Sequence, residues 1–192
     1  MIVCYSDEAW YPWNSFQSVV VLTVEYDAFQ QWSKSNLYTQ IPLVTKWSSI
    51  RTIGQAKAVE WVLFASIDLL HKQGATVSIA STAQGSSKFV TGVYDQHFAD
   101  LNERYPTVRK LFYPDRNTRL KWHTRSHQFA SMPLVEVTPQ VSYESPWVWL
   151  CDMLAWVARE ACKMNHGATV RHAWKRYLVE QCMQMEFFKT KK

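Results

Sequence analysis

The sequence has no pair of closely spaced cysteines. Its four cysteines are Cys4, Cys151, Cys162 and Cys182, and none has the Cys-x-x-Cys spacing of zinc sites or redox-active disulfides. The first residues enter a strand-like run without a basic flank, so we expect no secretory signal. The pattern therefore predicts reduced thiols in a cytoplasmic protein and does not favour zinc as a ligand.

Long apolar runs, internal repeats and low-complexity segments are also missing. No apolar stretch is long enough to span a bilayer, so we expect no membrane partner. The length of 192 residues fits one domain, or one domain with an appendage. We place a core domain at residues 1–165 and a C-terminal amphipathic helix with a basic tail at residues 166–192.

What the chain has in plenty is apolar and aromatic residues. Hydrophobic residues make up 47% and charged residues 19%, which is enough apolar surface for a sizeable core and excludes a disordered chain. Aromatic residues reach 15%, with ten tryptophans. We expect most of these rings in the core, while exposed ones could stack on bases or form a homo-oligomer or protein interface.

The formal net charge is +5, which is compatible with a polyanionic partner. Much of the excess lies between Arg104 and Arg125 and again between Arg171 and Lys192. A solvated face and a solubilising tail would give the same pattern, so the charge alone does not decide between these interpretations.

Apolar periodicity predicts an α/β protein. Strands are predicted at residues 1–5, 16–25, 76–81, 108–113 and 134–141. Helices are predicted at residues 26–38, 55–72, 93–105, 119–130 and 167–192, and one more after residue 145. The short first connection predicts an antiparallel opening hairpin, and the later helical crossovers predict parallel strands, so we expect a mixed sheet flanked by helices.

Acidic residues fall at three separate places where an active site would present them. Asp7 and Glu8 are predicted to leave the first strand, and Asp115 follows a later strand directly. Asp152 lies in an apolar helix for which Ser145 is the expected N-cap. A solvated turn at Asp7 and an ion-paired Asp152 are the simpler alternatives.

Three carboxylates brought together in a partly dry site would repel strongly, and a divalent cation is the usual remedy. Oxygen ligands favour Mg²⁺ or Mn²⁺ over zinc. A pair of such ions clamps the attacking and leaving oxygens of a phosphodiester during in-line displacement. The acids therefore favour phosphodiester hydrolysis as the chemistry.

The order of these acids resembles the ribonuclease H-like fold, in which acids on the first strand, a later strand and a late helix hold metals. More closely, the chain resembles the bacterial and phage family called domain of unknown function 3800. The matching segments are residues 5–10 (YSDEAW), 46–49 (KWSS), 113–115 (YPD) and 141–155 (VSYESPWVWLCDMLA). Val141 and Trp149 stand where that family has an acid and a glutamine.

The resemblance implies a metal-dependent nuclease of bacterial or phage origin, with Asp7, Asp115 and Asp152 as metal ligands. Glu8 is a candidate fourth ligand, although strand alternation predicts that it points to the face opposite Asp7. Lys46 could neutralise a phosphate or the transition state, or could simply be an exposed lysine before a helix.

Basic residues next to Asp115 are the best candidates for contacts with a nucleic-acid backbone. They are Arg116, Arg119, Lys121 and Arg125. His123 and His127 could flank a substrate or a metal, but their spacing also fits ordinary surface histidines. Two other classes stay open: a catalytically inactive ribonuclease H-like module that binds nucleic acid or protein, and a small-molecule phosphohydrolase.

Overall fold

A computed structural model describes residues 1–11, 14–34, 47–115, 134–141 and 145–184. Within these residues, five strands form one mixed sheet in the order β3-β2-β1-β4-β5. The strands are β1 (Ile2–Tyr11), β2 (Asn14–Glu25), β3 (Thr76–Thr82), β4 (Lys110–Pro114) and β5 (Val135–Val137). The helices are α1 (Tyr26–Ser33), α2 (Ile53–Lys72), α3 (Ser87–Arg104), α4 (Pro146–Asn165) and α5 (Ala173–Cys182).

The strand directions agree with the predicted mixed sheet. β1 pairs with β2 in an antiparallel hairpin, and β2 also pairs with β3 in the antiparallel direction, across the helices that connect them. β4 then pairs with β1, and β5 with β4, in parallel. The α/β class, the antiparallel opening and the parallel pairing of β4 and β5 are therefore confirmed. β3 differs from the prediction, because it follows helices α1 and α2 but pairs antiparallel with β2.

Several predicted boundaries move. β1 continues beyond residue 5 to Tyr11, because its pairing with β2 extends past the point where β4 ends. α3 begins at Ser87 rather than near residue 93, since the Ser86 hydroxyl caps it by accepting the backbone N–H of Phe89. The last strand is shorter than predicted, and the C-terminal helix spans Ala173–Cys182 within the described residues. The helix predicted at residues 119–130 lies outside the described residues.

Side-chain alternation along the sheet divides the apolar residues between two cores. One core lies under α4, α2 and α5 and contains Val3, Tyr5 and Ala9 of β1. The other lies under α3 and contains Ile2 and Cys4. Most tryptophans whose burial is described are buried, as expected for core residues, although Trp61 is 57% exposed.

α4 is the helix that carries Asp152, and it begins where the sequence predicts. The Ser145 hydroxyl accepts the backbone N–H of Val148, and Pro146 occupies the first turn, where its missing N–H costs nothing. The helix is buried on almost every face, and most of its residues are apolar. Among the described residues, no helix combines the length and apolar character that a membrane crossing requires.

Candidate acidic active site

The two acids of β1 lie inside the strand and not at its exit. The pairing of β1 with β2 includes Asp7 and Glu8 and continues in the residues before and after them. Neighbouring residues in a strand point to opposite faces, so Asp7 shares the α4 face with Tyr5 and Ala9. Glu8 consequently faces α3, as the alternation predicts.

Asp115 is positioned by the parallel pairing of β4 with β1. Ser6 pairs with Pro114, and the backbone N–H of Asp115 donates to the Ser6 carbonyl oxygen at 2.9 Å. Continuing this register by one residue puts Asp115 opposite Asp7 on a strand about 4.8 Å away. Asp115 also forms a parallel bridge with Gln140, so its backbone is held from both sides.

Asp152 is brought to the same face by the docking of α4 on the sheet. Near its start, the Trp147 ring stacks on Tyr5, with centroids 5.1 Å apart and planes 8° from parallel. Further along, the Ser18 hydroxyl donates to the carbonyl oxygen of Ala155. Asp152 lies between these two anchor points and is itself buried. It therefore lies over the middle of β1.

The raised pKa of Asp7 reflects its burial and the proximity of the other two aspartates. Burial raises the pKa of Asp7 well above its ordinary value, and the negative charges of Asp152, Asp115 and Glu8 raise it further. The opposing effect is a hydrogen bond of 2.6 Å from the backbone N–H of Glu8 to Asp7 Oδ1. The structure therefore brings Asp7, Asp115 and Asp152 into one negatively charged region.

The donor chemistry of this region is that of hard oxygen ligands. Cys151 is the neighbouring soft ligand, but burial raises the pKa of its thiol well above the ordinary value, with further rises from Asp7, Asp152 and Asp115. A protonated thiol is a poor metal ligand. Within the described residues, no three His, Cys, Asp or Glu side chains are arranged to hold one metal ion as they stand.

Glu8 is engaged on the other face of the sheet. The Tyr94 hydroxyl of α3 donates to Glu8 Oε1 at 2.5 Å and lies 2.9 Å from Ser6 Oγ. Burial raises the pKa of Tyr94 well above its ordinary value, and the neighbouring Glu8 adds to the rise. The structure therefore places Glu8 apart from Asp115 and Asp152, in a buried polar contact between sheet and helix.

The remaining candidates lie outside the described residues. They are Lys46, Arg116, Arg119, Lys121, His123, Arg125 and His127. Of the predicted site, only Asp7, Glu8, Asp115 and Asp152 are therefore placed by the structure.

A buried ionic group in the second half of α4 was not among the predicted features. Arg159 donates to Glu160 Oε1 at 2.9 Å and, through Nε, to the carbonyl oxygen of Phe16 at 3.1 Å. Lys163 donates to the same Glu160 oxygen at 2.8 Å. The signal was available in the sequence, because these three charges, like Asp152, interrupt a mainly apolar helix.

Comparisons with known proteins give no family assignment. No protein-family model matches the chain, and a search of curated proteins gave no match. The fold and the site by themselves define an α/β protein with a mixed five-stranded sheet, within the described residues, and an acidic cluster on its α4 face.

Proposed function

We propose that this protein is a Mg²⁺- or Mn²⁺-dependent nuclease with a ribonuclease H-like fold, of the bacterial and phage type that its sequence resembles. The mixed sheet, with two antiparallel pairings followed by two parallel ones, is compatible with that fold. Fold alone does not define an activity, so the proposal depends on the acidic site.

The observation that carries the proposal is the position of Asp7. It is 4% exposed, in a region that also receives the charges of Asp115 and Asp152 from two other elements. Grouping like charges in a poorly hydrated place is unfavourable unless a cation or a proton compensates for them. Carboxylates with strongly perturbed pKa values cluster at functional sites.

Carboxylates are the ligands that Mg²⁺ and Mn²⁺ prefer. Mg²⁺ usually keeps several waters and takes only one or two carboxylates together with substrate phosphates, so a preformed three-acid cage is not required. A bound divalent cation would supply Lewis-acid polarisation of the phosphate and a nucleophilic water at neutral pH.

The three acids differ in exposure, and this divides their roles. Asp7 and Asp152 are buried and would hold the cation on the sheet side. Asp115 is only partly buried and follows the end of β4, and we place the substrate on its side of the cation. Glu8 faces α3, and we assign it no part in cation binding.

The proposed substrate is DNA or RNA. The net charge of +5 favours a polyanion. Lys46, Arg116, Arg119, Lys121 and Arg125 remain the proposed phosphate contacts. A cytoplasmic location is proposed on the same footing, since Cys4, Cys151, Cys162 and Cys182 are all free and buried, as expected for a reducing compartment.

A second candidate function is a catalytically inactive module that binds nucleic acid or protein. The net charge of +5 favours a polyanionic partner whether or not the acids support catalysis. Both functions predict binding of a partner, but only the nuclease predicts turnover that depends on a divalent cation.

The test is cleavage of single-stranded, duplex, hybrid and branched substrates in Mn²⁺ and Mg²⁺ by the wild type and by Asp152→Asn. We expect cleavage by the wild type and none by Asp152→Asn, whose fold should be unchanged by circular dichroism. Asp68→Asn is the matched control, since Asp68 is exposed on α2 and paired with Lys72. Unchanged turnover in Asp152→Asn would refute the metal assignment, and no cleavage of any substrate by the wild type would favour the inactive module.

A further inference from the structure

A cavity of about 580 Å³ lies beside the second half of α4. The 3₁₀ turn Trp47–Ser49, the residues after it and the start of α5 form its other walls. Its aromatic lining is Trp47, Trp156 and Trp174. Trp47 and Trp156 are parallel within 7°, with centroids 6.1 Å apart, and Trp174 meets Trp47 edge-on at 5.0 Å. The volume is in the range of pockets that hold a nucleotide-sized ligand.

The charged lining of this cavity is strongly basic. Four cations, Arg51, Arg159, Lys163 and Lys175, face a single acid, Glu160. Glu160 is already engaged by Arg159 and Lys163, at 2.9 and 2.8 Å. Two cations therefore remain for a ligand beyond this buried ionic group.

Lys175 is the most telling of the four cations. Within the part of the chain that the structure describes, it forms no ion pair, and its Nζ lies over the rings of Trp174 and Trp47 at 5.4 and 5.8 Å. Burial lowers its pKa, Glu160 opposes this, and Lys163, Arg159 and Arg51 lower it further. An anion in the cavity would relieve this repulsion, just as a cation would at the acids.

Arg51 is held in place at the cavity wall by its own backbone surroundings. Its guanidinium donates to the carbonyl oxygens of Ser48 and Ile50, the latter at 3.0 Å. These bonds use one of its nitrogens, so the rest of the planar donor group stays available for a phosphate.

The cavity and the acidic site lie on the same helix. Trp156 is one turn beyond Asp152, and Arg159 is two turns beyond it. With a rise of 1.5 Å per residue, these positions are about 6 and 10 Å from Asp152 along the helix axis. An extended nucleic-acid strand covers such distances within a few nucleotides.

We propose that this cavity binds a nucleotide unit of a single nucleic-acid strand, with its phosphate on Arg51 and Lys175 and its base against Trp156. Trp156 is partly exposed, whereas Trp47 and Trp174 are buried behind it. The inference depends on the proposed function in taking the strand to be the one that the acids cleave. Cationic grooves lined with aromatic rings are typical of single-strand binding, because any base can stack on a ring.

The test measures fluorescence anisotropy of a labelled oligothymidylate in EDTA, where the metal site plays no part. We expect Arg51→Gln and Lys175→Gln each to weaken binding about tenfold. Each should also reduce the slope of log affinity against log salt concentration by about one, because one phosphate contact is lost. Lys72→Gln, which removes an equal charge from the exposed face of α2, should leave binding unchanged. Thermal melts of each variant confirm folding.

The outcomes separate this inference from the nuclease proposal. Equal affinity of Lys175→Gln, Arg51→Gln and Lys72→Gln for the oligothymidylate would overturn the proposal that the cavity binds the strand, even if the wild type cleaves. Weakened binding by the two pocket variants would uphold it even if no cleavage is found. Thymidine monophosphate binding as tightly as the oligothymidylate would overturn the assignment to a strand.

Discussion

Asp115 donates its backbone N–H to the carbonyl oxygen of Ser6 at 2.9 Å, which fixes the end of β4 beside the middle of β1. Asp7 follows Ser6 in β1, and Asp115 follows Pro114 at the end of β4, so continuing the parallel register places the two aspartates opposite each other. Asp152 reaches the same face from α4. Three elements distant in sequence therefore place three carboxylates in one region.

Asp7→Asn should stabilise the metal-free protein. The substitution keeps the size of the side chain and the oxygen that accepts from Glu8 N–H, while removing a charge from an acidic, buried region. We expect a gain of about 1–3 kcal/mol in the free energy of unfolding, or roughly 2–4 °C in melting temperature for each kcal/mol. The measurement is thermal unfolding in EDTA at neutral pH.

The pH dependence of that gain follows from the raised pKa of Asp7. The folded protein holds the proton more tightly than the unfolded chain, so wild-type stability falls as pH rises from the ordinary Asp value of 3.8 towards the raised value. Asp7→Asn should lack this fall. Asp68→Asn, on the exposed surface, should change stability by less than about 0.5 kcal/mol. A free energy of unfolding lower for Asp7→Asn than for the wild type would contradict a destabilising repulsion between Asp7 and its acidic neighbours.

His97 should make the protein less stable at mildly acidic pH. Burial lowers the pKa of His97 from 6.5 to about 4, with Asp100 opposing and Arg104 adding to the shift. As pH falls from 6.5 to 4, His97 becomes protonated in the unfolded chain but stays largely neutral in the folded protein, so folding becomes less favourable. The loss should reach about 2–3 kcal/mol at pH 4.

His97→Asn tests this directly by urea unfolding between pH 7 and about 4. The variant loses the contact of 3.0 Å between His97 Nε2 and Thr23 Oγ1, so it should be less stable at neutral pH. Its disadvantage should shrink as the pH is lowered. If the free energies of unfolding of the two proteins change with pH in parallel over this range, His97 is not the source of the acid sensitivity.

Tyr94→Phe should lower the free energy of unfolding and leave metal-dependent cleavage unchanged. It removes the hydrogen bond of 2.5 Å to buried Glu8, at a cost of about 1–3 kcal/mol. Because Glu8 faces α3, metal-dependent cleavage per folded molecule should stay at the wild-type level. Urea unfolding and a cleavage assay below the unfolding transition measure both effects. A loss of cleavage with an intact fold would give Glu8 a part in the site.

Much of the fold was predictable from the sequence because local patterns dictate it. The β-branched run at residues 16–25 became β2, and the apolar spacing at residues 55–72, followed by Gly74 with φ of +79°, became α2. The length of β1 was not predictable in the same way. Its polar residues Ser6 to Glu8 read as a turn, and only tertiary pairing with β2 keeps them in a strand.

The candidate site was predictable in its acids but not in its surroundings. Asp152 stood out as a charge in an apolar helix, and Asp115 as an acid directly after a strand. The contact between Tyr94 and Glu8 joins residues far apart in sequence, and the tryptophan-lined cavity joins three separate segments. Periodicity within one segment carries no information on such contacts.

The most direct test of the acidic site is isothermal titration of Mn²⁺ into the wild type and Asp152→Asn, without nucleic acid. We predict saturable binding by the wild type, and binding at least about tenfold weaker in the variant, since one charged ligand is lost. Identical titration curves for the two proteins, or no heat from either, would contradict a cation site formed by Asp7, Asp115 and Asp152.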